Sequence, residues 1–143
     1  MIPDAKVRPL LTSLTFQART YDIDFAGIVS NIVYVRWLED LRGEMLAAHY
    51  PAERILATGI GPVLLHTDIH YRRALRLGDR PEGRMWVAEA RRTRWVLQAE
   101  FVLQEQIVCE ARQTGAFVDY ARLRPVPVPE PLSRALKDAG THS

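Results

Sequence analysis

Residues 21–39 carry the most information about architecture and chemistry, and they read YDIDFAGIVSNIVYVRWLE. A strand-like stretch ends just before them and a helix-like stretch follows. The connection contains a lone carboxylate at Asp24, then Gly27, then two residues that favour helix N-termini, Ser30 and Asn31. Because unpaired N–H groups point outward from a helix N-terminus, this order predicts an acid beside the positive end of a helix. Such a carboxylate can attack, or deprotonate water beside, a carbonyl whose oxygen those N–H groups hold, which suits acyl transfer.

Two motifs in this stretch carry a family resemblance. The first, Asp-x-x-Gly-[Ile/Val]-Val, is Asp24–Val29, and the second, Tyr-x-x-[Trp/Phe]-x-[Glu/Asp], is Tyr34–Glu39. They resemble the hotdog-fold thioesterases of the 4-hydroxybenzoyl-CoA thioesterase type, including acyl-CoA thioesterases found near cell-envelope genes. The likeness continues through Ile69–Ala74 and Leu77–Asp79 to the closing strand and the Arg124–Pro127 exit. It therefore covers nearly the whole chain.

The resemblance implies a reaction and the residues that perform it. The reaction is hydrolysis of an acyl-CoA or acyl-carrier-protein thioester, with Asp24 as nucleophile or general base and Gly27 beside the substrate. Asn31 matches the position whose backbone N–H polarises the thioester carbonyl. Many relatives carry His or Tyr there and an Asn near Val33, so only the backbone donor is carried over. Neither a cofactor nor a metal is expected.

Arginine supplies 17 of the 19 basic residues, and eight arginines fall between Arg72 and Arg94. The guanidinium fork suits phosphate, so this region is a candidate site for the phosphates of coenzyme A. Arg73, Arg91 and Arg92 are the candidate contacts because each borders a turn or a strand end. Charged outward positions of solvent-facing strands are the alternative for most of these arginines. No nucleic-acid-binding motif accompanies them, so a nucleic-acid partner is not expected.

The apolar pattern predicts an α+β protein in which one long helix is wrapped by a curved antiparallel five-stranded sheet. The resemblance implies that this arrangement is a hotdog fold. Short connections between the later strands favour antiparallel hairpins. We expect a single domain over residues 1–143, with a core at about 10–124 and a Pro-rich exit and frayed helical tail at 125–143. The predicted elements are strand Leu14–Thr20, helix Ile32–Tyr50, a short helical turn and loop over Ala52–Gly61, and strands Val63–Ala74, Gly83–Arg92, Thr93–Leu103 and Ile107–Ala121.

The long helix is amphipathic. Its predicted apolar face is Tyr34, Trp37, Leu38, Leu41, Met45 and Ala48, and its predicted solvent face is Arg36, Glu39, Asp40, Arg42 and Glu44. Glu39 also matches the acidic position that closes the family motif. Gly115, within the last strand, suggests a bulge or bend.

A half-buried sheet with long strands favours pairing with a second copy of the chain. The resemblance implies a homodimer with a continuous sheet, often doubled to a homotetramer, and an active site shared across the interface. The sequence leaves dimer and tetramer open.

Composition places the chain among soluble globular proteins, with 48% hydrophobic and 25% charged residues. No apolar run approaches the ~20 residues of a membrane span, and Met1–Lys6 lacks the features of a signal peptide. Cys109 is the only cysteine, which suits a reducing cytoplasm, and it is expected to be a buried small residue. Asp22 is expected to make loop hydrogen bonds. His66, Asp68 and His70 share one face of a strand, a spacing that could hold a metal ion, but they are interpreted as the polar side of the strand.

Two other functions stay open beside thioester hydrolysis. A hotdog dehydratase needs a catalytic His near the helix start, and residues 21–39 contain none. A non-catalytic acyl-binding or assembly protein could keep the fold without the chemistry. Gly-x-Ser-x-Gly is absent from the sequence, which argues against a serine hydrolase. Acyl chain length, aryl or alkyl preference, and CoA or carrier protein are not specified.

Overall fold

The structure is a computed structural model and describes residues 7–140. The expectation about Met1–Lys6 and the last part of the predicted tail, 141–143, lie outside the described residues. Within residues 7–140 the elements are β1 (Thr12–Thr15), a 3₁₀ turn (Thr20–Asp22), α1 (Asn31–His49), α2 (Ala52–Thr58), β2 (Ile60–Tyr71), β3 (Glu82–Ala90), β4 (Arg94–Leu103), β5 (Gln106–Asp119), β6 (Arg124–Pro125) and α3 (Glu130–Asp138).

The strands form one antiparallel sheet in the order β1-β3-β4-β5-β2, and the two-residue β6 pairs with β5. The sheet curls around α1, so the predicted hotdog fold is confirmed. Every second residue of β4 points toward α1, and Trp95, Leu97, Ala99 and Phe101 are all buried. The core therefore lies between the inner face of the sheet and α1.

Local sequence sets the ends of α1. Ser30 is the N-cap residue with extended backbone angles, and Tyr50 is the C-cap residue. Pro51 follows and is the N-cap residue of α2. Because the interior of a helix does not accommodate proline, α1 cannot continue through this position.

The predicted apolar face of α1 is confirmed at five positions and wrong at Ala48, which is exposed. The prediction that Arg42 lies on the solvent face of α1 is also wrong. Only 13% of its side chain is exposed, because it reaches over the inner face of the sheet to Gln113.

The first strand is shorter than predicted, ending at Thr15 rather than Thr20. Phe16 N–H donates to Pro81 O and Ala18 N–H donates to Asp79 O, both at 2.9 Å. The backbone there remains hydrogen-bonded, but to the loop before β3 rather than to a regular strand.

The irregularity suggested by Gly115 lies in the neighbouring strand. The register of β2 against β5 shifts between Leu64 and His66, and Leu64 is paired with Gly115. A methyl group on Gly115 would lie 3.1 Å from both Trp95 Nε1 and Val63 O. A side chain at position 115 would therefore crowd the ring of Trp95 and the backbone of β2, which favours glycine there.

The C-terminal segment is a docked helix, so the expectation of a frayed tail is wrong for residues 130–138. Leu132 and Leu136 of α3 are buried. Val128 N–H donates to Arg92 O at 2.8 Å, which attaches the segment to the turn between β3 and β4. Two leucines one helical turn apart thus complete the core. No helix of residues 7–140 is both long enough and apolar enough to cross a membrane.

The sheet has two ends, which differ in what they carry. At the α1 end, β2 finishes at Tyr71, β3 and β5 begin, and the N-terminus of α1 lies close by. At the hairpin end, β3 and β5 finish and residues 91–93 connect β3 to β4. The nine residues of β3 separate the two ends by about 30 Å at ~3.3 Å per residue.

Candidate active site

Asp24 closes a tight turn with its own side chain. Its Oδ1 accepts hydrogen bonds from Ala26 N–H at 2.9 Å and from Ile28 N–H at 3.5 Å. Its own N–H donates to Ile28 O at 2.9 Å, and Gly27 N–H donates to Asp24 O at 2.9 Å. Gly27 has φ +81°, and a methyl group there would meet no atom within 4 Å. The positive φ therefore explains why glycine occupies position 27. A role for Gly27 in substrate binding stays a prediction.

The turn is fixed to the α1 end of the sheet. Ile28 forms an isolated antiparallel bridge with Arg76, and Val29 N–H donates to Leu75 O at 2.8 Å. Asp22 supports the same segment, because its O accepts from Ser30 N–H at 2.9 Å. Its side-chain Oδ2 accepts from Arg19 N–H at 2.9 Å, so the predicted loop role of Asp22 is confirmed.

The N-terminus of α1 presents free backbone donors. Ser30 occupies the N-cap position, but its side chain makes no capping hydrogen bond. Asn31 is the exposed first residue of the helix, and its N–H has no acceptor among residues 7–140. Unsatisfied N–H groups and the helix dipole together make such a terminus attractive to an oxygen that carries negative charge.

An open cleft of about 150 Å³ lies beside this terminus. Tyr71 was not singled out from the sequence as a site residue, although it falls within the matched segment Ile69–Ala74. Its hydroxyl donates to Asn31 O at 3.3 Å. Tyr34 was expected in the core, and it is buried while still lining the cleft. Burial raises the pKa of the Tyr34 phenol, which keeps it protonated. The cleft is lined by Ile28, Val29, Asn31, Tyr34, Tyr71, Arg72, Arg73 and Ala74.

Asp24 adjoins the cleft through Ile28, to which it is hydrogen-bonded. Its side chain is half-buried, and its Oδ2 accepts no hydrogen bond from any of residues 7–140. One oxygen therefore anchors the turn and the other is available. The structure thus places Asp24, Asn31 and Arg73 at the same end of the sheet, with Asn31 and Arg73 in the wall of the cleft. That the three act together stays a prediction.

Arg91 and Arg92 lie elsewhere in the protomer. Both belong to the turn at the hairpin end, far from Asp24. The Arg91 guanidinium pairs with Glu89 at 3.3 Å, and Arg92 O accepts from Val128 N–H. Within one chain these two arginines cannot share a ligand with Arg73. Their role as phosphate contacts stays a prediction.

Other arginines of the predicted basic region form ordinary ion pairs. Arg72 pairs with Glu110 at 2.5 Å, and Arg84 pairs with Glu82 at 2.7 Å and with Glu100 at 3.2 Å. For these residues the charged-surface interpretation is the better one.

Cys109 is fully buried, as predicted. Burial, with a smaller contribution from the Glu110 charge, raises the pKa of its thiol to about 12. A thiol that remains protonated is a poor nucleophile. His66, Asp68 and His70 are exposed along β2. The described part of the chain has no group of three His, Cys, Asp or Glu side chains placed to bind one metal ion.

Solved structures with similar folds include several thioesterases. A 1,4-dihydroxy-2-naphthoyl-CoA thioesterase from Synechocystis superposes with a TM-score of 0.81 at 19% identity, covering 92% of this chain and 99% of that one. The hypothetical protein SAV2348 from Staphylococcus aureus, solved in complex with CoA, gives 0.86 at 14% identity, with 95% and 89% covered. The probable thioesterase YbaW from Escherichia coli gives 0.78 at 22% identity, with 90% and 98% covered.

Family membership is shown by the sequence itself. None of the curated proteins compared with the chain matches it. The model of the thioesterase-like superfamily, however, matches residues 18–136, which include the Asp24 turn, α1 and the whole sheet from β2 to β6. The chain belongs to the thioesterase-like superfamily, and the predicted thioester hydrolase with a hotdog fold is confirmed.

Proposed function

We propose that the protein hydrolyses acyl-CoA, or acyl-carrier-protein, thioesters at the α1 end, with Asp24 as the catalytic carboxylate. One observation supports this above all. A carboxylate with one oxygen anchored, and the other without a donor among residues 7–140, adjoins a cleft lined by Asn31, whose N–H has no acceptor among the same residues. Two structures with this fold, one in complex with CoA and one a CoA thioesterase, support the thioester class.

The chemistry follows from the two groups. The thioester carbonyl oxygen accepts from the Asn31 N–H, which stabilises the negative charge that develops during attack. In one route Asp24 attacks the carbonyl carbon and expels the thiolate, and water then hydrolyses the mixed anhydride. In the other, Asp24 takes a proton from the water that attacks. Both routes give one free acid and one thiol.

A homodimer would complete the site. The outer edge of β2 is unpaired in the described chain, and Leu64 and Leu65 on it are exposed. Ile32 and Val35 on α1 are exposed apolar residues too. An open apolar edge favours pairing with a second copy. A dimer of such dimers is the tetrameric alternative.

Antiparallel pairing of two β2 edges also explains the separated arginines. It reverses one protomer relative to the other, so the hairpin end of one copy points the same way as the α1 end of its partner. Arg73 from one chain and Arg91 and Arg92 from the other could then approach one coenzyme A. A cytoplasmic location stays a prediction that rests on the single cysteine.

The test is a panel of acyl-CoA and acyl-carrier-protein thioesters, assayed with a thiol-detecting reagent and with mass spectrometry for the free acid. We expect equal amounts of thiol and acid, and loss of both with Asp24→Asn. Binding of thioesters without thiol release would instead identify a non-catalytic acyl-binding protein, in which Asp24 only holds its turn.

A further inference from the structure

A second cavity, of about 230 Å³, lies between the C-terminal half of α1 and the sheet. It is separate from the cleft at Asn31, and no residue lines both. Glu39, Arg42 and Leu46 form its helix side, and Val63, Trp95 and Gly115 belong to its sheet side.

Arg42 brings a positive charge to this cavity. Its Nη1 donates to Gln113 Oε1 at 2.9 Å, and its Nη2 contacts the Glu39 carboxylate. Gln113 is only 1% exposed, and its Nε2 donates to Thr67 Oγ1 at 3.1 Å. Both ends of the Gln113 amide are therefore occupied, which fixes the orientation of the guanidinium. Arginine has five N–H donors, so donors remain for a ligand after these two contacts.

Trp95 supplies an independent donor. It is 1% exposed, and its indole N–H has no acceptor among the residues of the described chain, 7–140. A buried indole N–H normally has a partner. Trp95 is paired across the sheet with Gly115, and a methyl group at Gly115 would lie 3.1 Å from Nε1. Because residue 115 has no side chain, it does not cover the N–H from that side, and Trp95 and Gly115 both line the cavity.

The two donors stand in a cavity whose other walls include the apolar side chains of Leu46, Val63 and Leu97. Such a cavity suits a ligand with an apolar body that ends in an oxygen acceptor. A carboxylate and a phenolic hydroxyl both fit, since each accepts hydrogen bonds from N–H groups.

In the proposed dimer, the cavity would lie next to the active site of the second copy. In one chain the buried residues Trp37, Leu38 and Leu41 fill the core between the two ends of α1. The cavity instead borders the first half of β2, at 62–64. In an antiparallel pair of β2 edges, this half lies beside the second half of the other strand, which ends at Tyr71 and the cleft.

We propose that the cavity binds the far end of the acyl group whose thioester is held at Asp24 of a second copy. Arg42 and Trp95 select acyl groups that end in a carboxylate or a phenolic hydroxyl. This inference rests on the proposed function and names its substrate class.

The kinetic test compares matched thioesters. One pair is a straight-chain acyl-CoA and its counterpart of equal length with a terminal carboxylate; the other is an aryl acyl-CoA and its hydroxylated counterpart. We expect a preference for the oxygen-bearing member of at least one pair, about tenfold or more in kcat/KM. The pair that shows it identifies the acceptor. Arg42→Met and Trp95→Phe should each lower that preference. Trp86→Phe is the control, because Trp86 does not line the cavity. The ring of Trp86 instead packs under Arg8, whose Cζ lies 3.9 Å from the ring centroid. No preference in either pair, or equal loss in the control, overturns the selection.

Mixed dimers test whether the cavity serves the other copy. Chains carrying Asp24→Asn and Arg42→Met are co-expressed with different tags, and the heterodimer is purified. If the site combines Asp24 of one chain with Arg42 of the other, one of the two sites in the heterodimer is wholly wild type. We then expect about half the wild-type activity toward the preferred substrate. If both groups of a site come from one chain, no site is intact, and activity stays at the level of the Arg42→Met enzyme or below.

Direct binding separates this inference from the proposed hydrolysis. The chain has three tryptophans, so three indole N–H signals appear in a ¹⁵N NMR spectrum, and Trp95→Phe assigns one of them. The free acid released from the preferred thioester, or each free acid of both pairs if no thioester is cleaved, should shift the Trp95 signal. The Trp86 signal should stay in place. An unmoved Trp95 signal at saturating acid would overturn the proposed cavity occupant, whether or not the protein is a thioesterase.

Discussion

The two ends of the sheet each carry an aspartate that closes a turn with its own carboxylate. At the hairpin end, Asp119 Oδ1 accepts from Ala121 N–H at 2.9 Å and from Arg122 N–H at 3.4 Å. Its Oδ2 accepts from the Arg122 side chain at 3.3 Å. Both oxygens of Asp119 are therefore occupied within its own turn.

At the α1 end, the side chain of Asp24 also closes a turn, but it uses one carboxylate oxygen where Asp119 uses both. Its Oδ1 anchors the turn, but no side chain among residues 7–140 donates to its Oδ2. Ile28, which is hydrogen-bonded to Asp24, lines the same cleft as Asn31, and the Asn31 N–H has no acceptor in residues 7–140. Of these two aspartates, Asp24 is the one with an oxygen that accepts no hydrogen bond within residues 7–140, which is why we propose catalysis for Asp24 and a purely structural role for Asp119.

The largest effect is expected from separating the proposed dimer. Leu65→Glu places a charge on the open β2 edge, where Leu65 is half exposed in the single chain. Desolvating that charge should prevent pairing, and activity should be lost because each proposed site needs two chains. Leu56→Glu is the control, because Leu56 is more exposed still and lies on α2. Analytical ultracentrifugation beside the thioester assay measures both properties. A fully active monomer rules out the shared site.

A smaller effect is expected from removing one N–H. Asn31→Pro deletes the backbone donor, but the first position of a helix accepts proline because its N–H has no partner within the helix. Ser30 already has ψ 143°, the extended conformation required before proline. We expect kcat to fall about 10²- to 10³-fold with the melting temperature nearly unchanged.

Asn31→Ala keeps the N–H and is the matched control. It should retain activity within a few-fold of wild type, since the side chain is not the proposed donor. If the alanine variant loses as much as the proline variant, the side chain is responsible and the backbone role is wrong.

The smallest effect is expected from the arginines. Arg73→Ala and Arg92→Ala should each raise KM for acyl-CoA several-fold and leave kcat nearly intact. Because salt screens contacts between arginine and phosphate, the difference in KM from wild type should shrink as the salt concentration rises. Arg134→Ala is the control, because Arg134 pairs with Glu130 on α3. A truncated thioester without the nucleotide should be insensitive to all three changes. Equal losses with the truncated substrate would show that Arg73 and Arg92 serve the fold or the chemistry instead.

Much of the fold follows from the sequence because its signals are local. The period of α1, the alternation in β4 and the stop at Pro51 are each read within a few residues. The Asp24 turn is likewise local, since the acid, Gly27 and the helix start lie within eight residues.

The remaining features depend on distant partners. The helical pattern predicts Arg42 on the solvent face, because the sequence does not reveal that Gln113, 71 positions away, accepts its hydrogen bond. In the sequence, Arg91 and Arg73 belong to one basic region, but the pairing of β3 with β4 places Arg91 at the hairpin end. The position of Trp95 opposite Gly115 depends on the pairing of β4 with β5. Spacing along the chain contains none of this information.

One paired measurement tests the role of Asp24 most directly: kcat/KM of Asp24→Asn and of Asp119→Asn on the best acyl-CoA substrate. Asparagine keeps an oxygen that can accept the turn hydrogen bonds, so both variants should fold with stabilities within about 1 kcal/mol of wild type. Circular dichroism and thermal unfolding check that condition. We expect Asp24→Asn to lose about 10²- to 10⁴-fold in activity and Asp119→Asn to stay within a few-fold of wild type. Equal activities of the two folded variants would contradict catalysis by Asp24 and leave it, like Asp119, an aspartate that only closes a turn.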